Sequence, residues 1–453
     1  MVDVQRAATL AGFGGSSDAR VATRPSKTEI VAPLQLPLED RANSYFVNNY
    51  VFTSRTAGIP TGGYIDCIVP LKSSNSTQPH LEFAFNACSV ATLSGRGKAH
   101  SDAYALKLYT KAVAATFVAL RDAELARQDS TLATVLLLGL FENITTKSPG
   151  VNKWGMHIEA AVTIVKARGR DMRRTETGLT LFAAVRSLLI IRMFFNPTSL
   201  PSQDANFWFP AWADVDDDPC TKFEQLNFRA AQLQMESTSL LDDETIAEKS
   251  DKATKLIHKC QLLDQELADY AEAYRDMFWW HTVAWQDGPS THDFSKADVY
   301  PGRIDIYKDP FTGRLWNFLR SSRLVLSTVI IRLAAWVCDP LDYRTSPEYG
   351  KALKTCAGLI TDLIASIPYM LGYCPRYGYG YGKAFSQESG NSRDQMCLAG
   401  SFLLFPLTLI LESDFLTDSQ RKWRCYRVPS MLIAQDRMIL SRKSKVTETK
   451  RTA

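Results

Sequence analysis

The chain lacks closely spaced cysteines: it has nine, and no two are fewer than 18 positions apart. A compact zinc site draws thiolates in pairs about two to four residues apart, because one short turn must aim both at one ion. The spacing therefore nominates no metal ligand, and an odd number of scattered thiols suits a reducing compartment. Apolar runs of spanning length are also missing. The longest are Leu132–Phe141, Val325–Cys338 and Cys397–Leu411, short of the roughly 20 residues a membrane helix needs. Arg332 interrupts the second and Pro406 breaks the third. These runs read as buried core helices, and no membrane is expected as a partner. Residues 1–20 lack the apolar stretch of a secretory signal, so the chain reads as intracellular. A net charge of +4 is too small to argue for nucleic acid by itself.

Catalytic signatures are scarce too. Gly378-Tyr379-Gly380-Tyr381-Gly382-Lys383-Ala384 looks like a phosphate loop, but Tyr377 stands where a glycine belongs. Ala384 stands where a Mg²⁺-binding Ser or Thr is needed. His157-Ile158-Glu159 matches half of a zinc deaminase motif, yet Pro219-Cys220 is followed by Thr221-Lys222-Phe223 rather than a second cysteine. The six histidines form no pairing motif. No catalytic, cofactor-binding or metal residue is nominated, and the chain is not expected to be an enzyme.

What is present is helical pattern. Residues 1–35, rich in Ala, Gly, Ser, Thr and Pro, read as a flexible leader. A helix is expected from Pro37 to Tyr50, then a turn-rich stretch with Gly58, Pro60, Gly62, Gly63 and Ser73–Pro79. Leu81–Leu93 follows, stopped by Ser94-Gly95. Leu106, Tyr109, Val113, Phe117 and Leu120 recur at threes and fours, which lines one face of a helix. Asp129-Ser130-Thr131 offers an N-cap to Leu132–Glu142, which is apolar nearly all round and expected at the centre. Trp154, Ile158, Ala161, Val162 and Val165 form another stripe, with Gly169 placed for a C-terminal cap.

Further helices are expected over Thr177–Phe195, Leu256–Tyr274, Leu315–Cys338, Tyr349–Ile367, Cys397–Leu411 and about Trp423–Leu440. Residues 372–394, rich in Gly and Tyr, read as an irregular loop. Met277-Phe278-Trp279-Trp280 either fills core between long helices or faces a partner or ligand. No strand alternation is sustained, so the expected class is all-α: one large multi-helix domain over 36–440 with antiparallel helix pairs. A basic, disordered tail follows at 441–453. Between Arg421 and Ala453 ten Lys/Arg face two acids, a local +8 that leaves −4 on the other 420 residues. Such a tail is a solvated end, a nuclear-import signal or a phosphate-contacting segment.

The order of segments from Leu36 to about Leu440 resembles the fungal-specific transcription factor domain, the helical region that follows the zinc cluster in many Zn₂Cys₆ regulators. Asp129–Phe195 carries the resemblance most specifically. It holds Asp129-x-x-Leu132, an apolar helix ending in Phe141-Glu142, and Trp154-x-x-His157. Ala160-Ala161, Arg168-Gly169, Leu181-Phe182 and Arg186 complete the pattern. Glu142 is expected to meet either His157 or Arg168 where two helices cross, satisfying charge near a core.

The resemblance implies a nuclear regulator of transcription. Its partners would be other transcription factors or a second copy of itself, with a small-molecule effector also admitted. The family's C-x₂-C-x₆-C cluster is absent from this sequence, so DNA contact is expected only indirectly or through the basic tail. Two alternatives stay open. One is a DNA-binding activator whose N-terminal exon is missing. The other, from a different class, is a helical small-molecule carrier or enzyme.

Overall fold

The computed structural model describes residues 36–51, 65–73, 78–94, 99–145, 151–196, 205–209, 218–242, 249–288, 293–294, 297, 299–371 and 402–423. The leader, the loop at 372–394, most of Trp423–Leu440 and the basic tail lie outside them.

The elements in order are α1 (Leu38–Tyr50), α2 (Ile65–Ser73), α3 (Pro79–Ser94), α4 (Ala99–Arg121), α5 (Asp129–Thr145), α6 (Val151–Arg168), α7 (Glu176–Phe195) and α8 (Ala205–Trp208). Then come α9 (Pro219–Asp242), α10 (Lys249–Ala273), β1 (Trp280–Gln286), β2 (Gly302–Tyr307), α11 (Pro310–Cys338), α12 (Pro347–Met370) and α13 (Leu404–Glu412). Several starts have a local cause. Thr175 accepts from the Gly178 amide at 3.0 Å to open α7. Asp309 accepts from the Thr312 amide at 2.7 Å ahead of Pro310. Ser346 does the same for α12 ahead of Pro347. Proline suits the first helical position because its missing N–H would have no partner there.

Consecutive helices pack on one another: α3 on α4 and α5, α5 on α6, α6 on α7, then α9, α10, α11 and α12 in series. Helix α5 is central, as its all-round apolar sequence predicts, with every residue from Ser130 to Gly139 buried. Contacts of α7 with α9 connect the earlier helices to the later ones. Rings seal that seam: Phe318 lies 6.1 Å from Phe194, 5.0 Å from Phe405 and 5.8 Å from Phe223.

Several expectations are corrected. The class is predominantly all-α, but β1 and β2 form a small antiparallel hairpin, irregular between Thr282 and Ala284. Asp305 is wholly buried on β2, held by the Thr282 hydroxyl at 2.8 Å and by Arg303 at 3.2 Å. The hairpin escapes a search for alternation because each strand is short and the segment joining them is long. Helices α2, α8 and α9 were unforeseen; α2 carries Pro70 within it. Pro368 does not end α12 but sits in its last turns, where it forfeits a single backbone bond. Pro406 lies in the first turn of α13, where proline is tolerated; α13 runs Leu404–Glu412, and the expected start at Cys397 lies outside the described residues.

The face of α4 is also shifted by one position. Of the expected stripe, Tyr109 and Val113 pack partly buried against the core but Leu106, Phe117 and Leu120 are exposed, whereas Ala105, Leu108, Ala112, Thr116 and Ala119 are buried. The covered stripe consists mostly of small residues, which allows two helix backbones to approach closely. By length and composition α4, α7 and α11 are long and apolar enough to cross a bilayer. In α7 and α11 67% and 61% of the apolar window is buried in the domain, as core helices require, against 28% in α4.

Candidate functional site

Helices α7, α9 and α11 line a pocket that opens to solvent, with a cavity volume of about 60 Å³ inside and about 640 Å³ of empty space once the open mouth is counted. Helix α7 supplies Ala183, Arg186, Ser187 and Ile190, a spacing that puts all four on one helical face. From α9 come Cys220, Thr221, Phe223, Glu224 and Asn227, and from α11 Phe311, Arg314, Leu315 and Phe318. The walls are mainly aromatic and aliphatic with a few convergent polar groups, which is the usual make-up of a small-molecule pocket.

Most of those polar groups are already engaged. Arg186 donates through Nε to Glu224 at 2.6 Å and through Nη1 to the Trp208 carbonyl at 3.2 Å. Its guanidinium also lies 4.7 Å from the Phe209 ring centre. Ser187 donates to the other oxygen of Glu224. Asn227 donates to the Phe223 carbonyl at 2.6 Å and accepts from Ser322 at 2.5 Å. Thr221 donates to Asp218. Burial, together with the nearby Asp218 and Glu224 carboxylates, pushes the Cys220 thiol up to about 12. That thiol stays protonated and is a poor nucleophile.

Arg314 differs. Among the described residues it pairs with no carboxylate; its guanidinium lies 5.2 Å from the Phe402 ring centre. Burial depresses its pKa below the ordinary arginine value, and the nearby Glu224 and Cys220 offset this only in part.

The residues singled out in sequence lie in two places. One group joins α4, α5 and α6. Glu142 meets His157 at 3.2 Å and accepts from the Tyr109 hydroxyl at 2.8 Å. Of the two partners left open for Glu142, the structure chooses His157. Arg168 pairs instead with Asp129 at 2.6 Å. Asp129 is thus the first residue of α5, spent on an ion pair, and not the N-cap expected.

Gly169 ends α6 in the left-handed region, φ 62°, which glycine enters without strain, and a 3₁₀ turn follows to Arg174. A Cβ on Gly139 would stand 3.3 Å from that of His157, so glycine sets the close approach of α5 and α6. Trp154 lies in the first turn of α6; its side chain is outside the described residues.

Among the described residues, only Arg186 of those predicted reaches the cavity. Sequence reasoning missed Glu224, Arg314 and the phenylalanines. A charge inside an apolar helical run was the available signal for Arg314, which stands between Phe311 and Leu315. The run Met277–Trp280 is divided: Phe278 is buried, whereas Met277 and Trp279 are exposed. Trp280 is half-buried, with the guanidinium groups of Arg303 and Arg320 over its ring.

Comparison with known proteins gives the following. Residues 43–210 match the fungal specific transcription factor domain. The matched segment takes in all of Asp129–Phe195 and covers the N-terminal part of the order read from Leu36 to Leu440. Transcription factor dbaG of Emericella nidulans is 22% identical to this chain over 341 residues, 74% of each protein. No solved structure matches.

Proposed function

We propose that this chain is a nuclear regulator of transcription whose helical domain works by contact with a protein partner or a small effector. The observation that carries this reading is the match of residues 43–210 to the fungal specific transcription factor domain; the likeness to a curated transcription factor along three quarters of the chain supports it. The reading rests on the helical domain itself, since the closely spaced cysteines of a zinc cluster do not occur in these 453 residues.

The test is chromatin occupancy of the tagged full chain in the presence and absence of candidate partner factors, together with transcript profiling after deletion. Occupancy that depends on a partner, with altered transcripts, is the expected result. Exclusive residence in the cytosol with unchanged transcripts overturns it.

A further inference from the structure

The geometry points to the cavity between α7, α9 and α11 as a binding site for a small organic acid, with Arg314 meeting its carboxylate and the phenylalanine walls its apolar body. The inference rests on the regulatory reading above and names the chemical class of its effector.

The first argument is charge. Among the lining residues two guanidinium groups, Arg186 and Arg314, face a single carboxylate, Glu224. Glu224 is hydrogen-bonded through both oxygens, one with Arg186 and the other with Ser187. One positive charge is therefore left over, and it belongs to Arg314. A guanidinium carries five N–H donors in a rigid fork that fits a carboxylate through two parallel bonds. Arg314 is partly buried and has no carboxylate partner among the described residues, so an arriving monoanion gains a charge-assisted pair with little further desolvation of the cation.

The second argument is shape and polarity. Asn227 and Thr221 each already spend a donor within the protein, and Arg314 is the charged donor left without a carboxylate among the described lining residues. Ile190, Phe223, Phe311, Leu315 and Phe318 form the rest of the wall. These side chains cannot solvate further charges, which disfavours polyanions and inorganic phosphate. An aromatic or aliphatic monocarboxylate meets both requirements.

Isothermal titration calorimetry on the purified full chain tests this with three probes: cinnamate, its uncharged analogue cinnamamide, and inorganic phosphate. Cinnamate should bind saturably at one site, and cinnamamide about ten- to a hundredfold more weakly, the range expected for loss of a charge-assisted contact. Phosphate should give no saturable heat. In Arg314→Gln, cinnamate should fall to the level of the amide while the amide is unchanged. Equal affinity for acid and amide in the wild type overturns the proposal without needing any variant to fold. So does phosphate binding as tightly as cinnamate, or cinnamate failing to bind saturably at millimolar concentration. Failure here with partner-dependent chromatin occupancy intact removes only the ligand class. Selective acid binding by a protein confined to the cytosol removes the regulatory reading instead.

Discussion

Deleting the Glu224 carboxylate should expose the electrostatic arrangement that holds α7 and α9 together. In the native protein Arg186 is buried, and Glu224 takes its Nε proton at 2.6 Å while also accepting from Ser187. In Glu224→Ala the guanidinium keeps one strong acceptor, the Trp208 carbonyl at 3.2 Å, and the faces of Phe209 and Phe182. Breaking a buried pair by removing one partner costs about 3–5 kcal/mol, since it leaves an uncompensated charge. The cavity beside the pair admits water, which favours the lower end of that range. For a chain of 453 residues, 1 kcal/mol moves the melting temperature by roughly 1–2 °C. Glu224→Ala should therefore melt about 3–10 °C lower. The double variant Arg186→Met, Glu224→Leu replaces the pair with apolar groups of similar bulk, and such replacements are often close to neutral. It should recover most of the loss, giving a coupling of about 0.5–3 kcal/mol in a double-mutant cycle. Scanning calorimetry of the four proteins gives the answer. Additive single losses would refute the reasoning, because they would mean the two side chains act on stability independently.

Two other outcomes follow from burial. Leu137→Ala removes a wholly buried side chain from the centre of α5 and should cost about 2–5 kcal/mol. Phe117→Ser on exposed α4 should stay within about 0.5 kcal/mol, and urea denaturation compares them. His80 is buried, and burial lowers its pKa below 6.5. The Thr131 hydroxyl donates to the Leu125 carbonyl at 2.6 Å, so at 3.3 Å it accepts from Nε2–H of a neutral His80. The unfolded chain then binds the extra proton below pH 6.5 and the folded one does not, so stability falls as pH drops below that value. His80→Gln should flatten this slope in melting experiments; an unchanged slope would place the pH dependence elsewhere.

Much of the helical layout was legible because its causes are local. The periodic runs from Thr177, Leu315 and Tyr349 marked three helices, although caps that periodicity does not show start them earlier, at Thr175, Asp309-Pro310 and Ser346-Pro347. The all-round apolar run from Leu132 can only be central. The paired elements around Glu142 and Gly169 were also readable, although Arg168 went to Asp129 while Glu142 took His157. Spacing shows which residues share a face, not which partner lies across from it.

Tertiary structure decided the rest. Periodicity placed Leu106, Phe117 and Leu120 of α4 on one stripe, but the face covered by α3 is the adjacent one of small residues. Two neighbouring stripes of one helix carry the same period, and only the packed neighbour selects between them. The cavity is a stronger case. Arg186, Glu224 and Arg314 lie far apart in the chain and belong to no local motif. They meet only because α9 packs against both α7 and α11. The sequence by itself determined a helical core with few exceptions and the resemblance carried by Asp129–Phe195, which lies inside the matched residues 43–210. Which charges balance and which is left over at Arg314 is a property of that meeting, since Coulomb interactions depend on distance in space and not on separation along the chain.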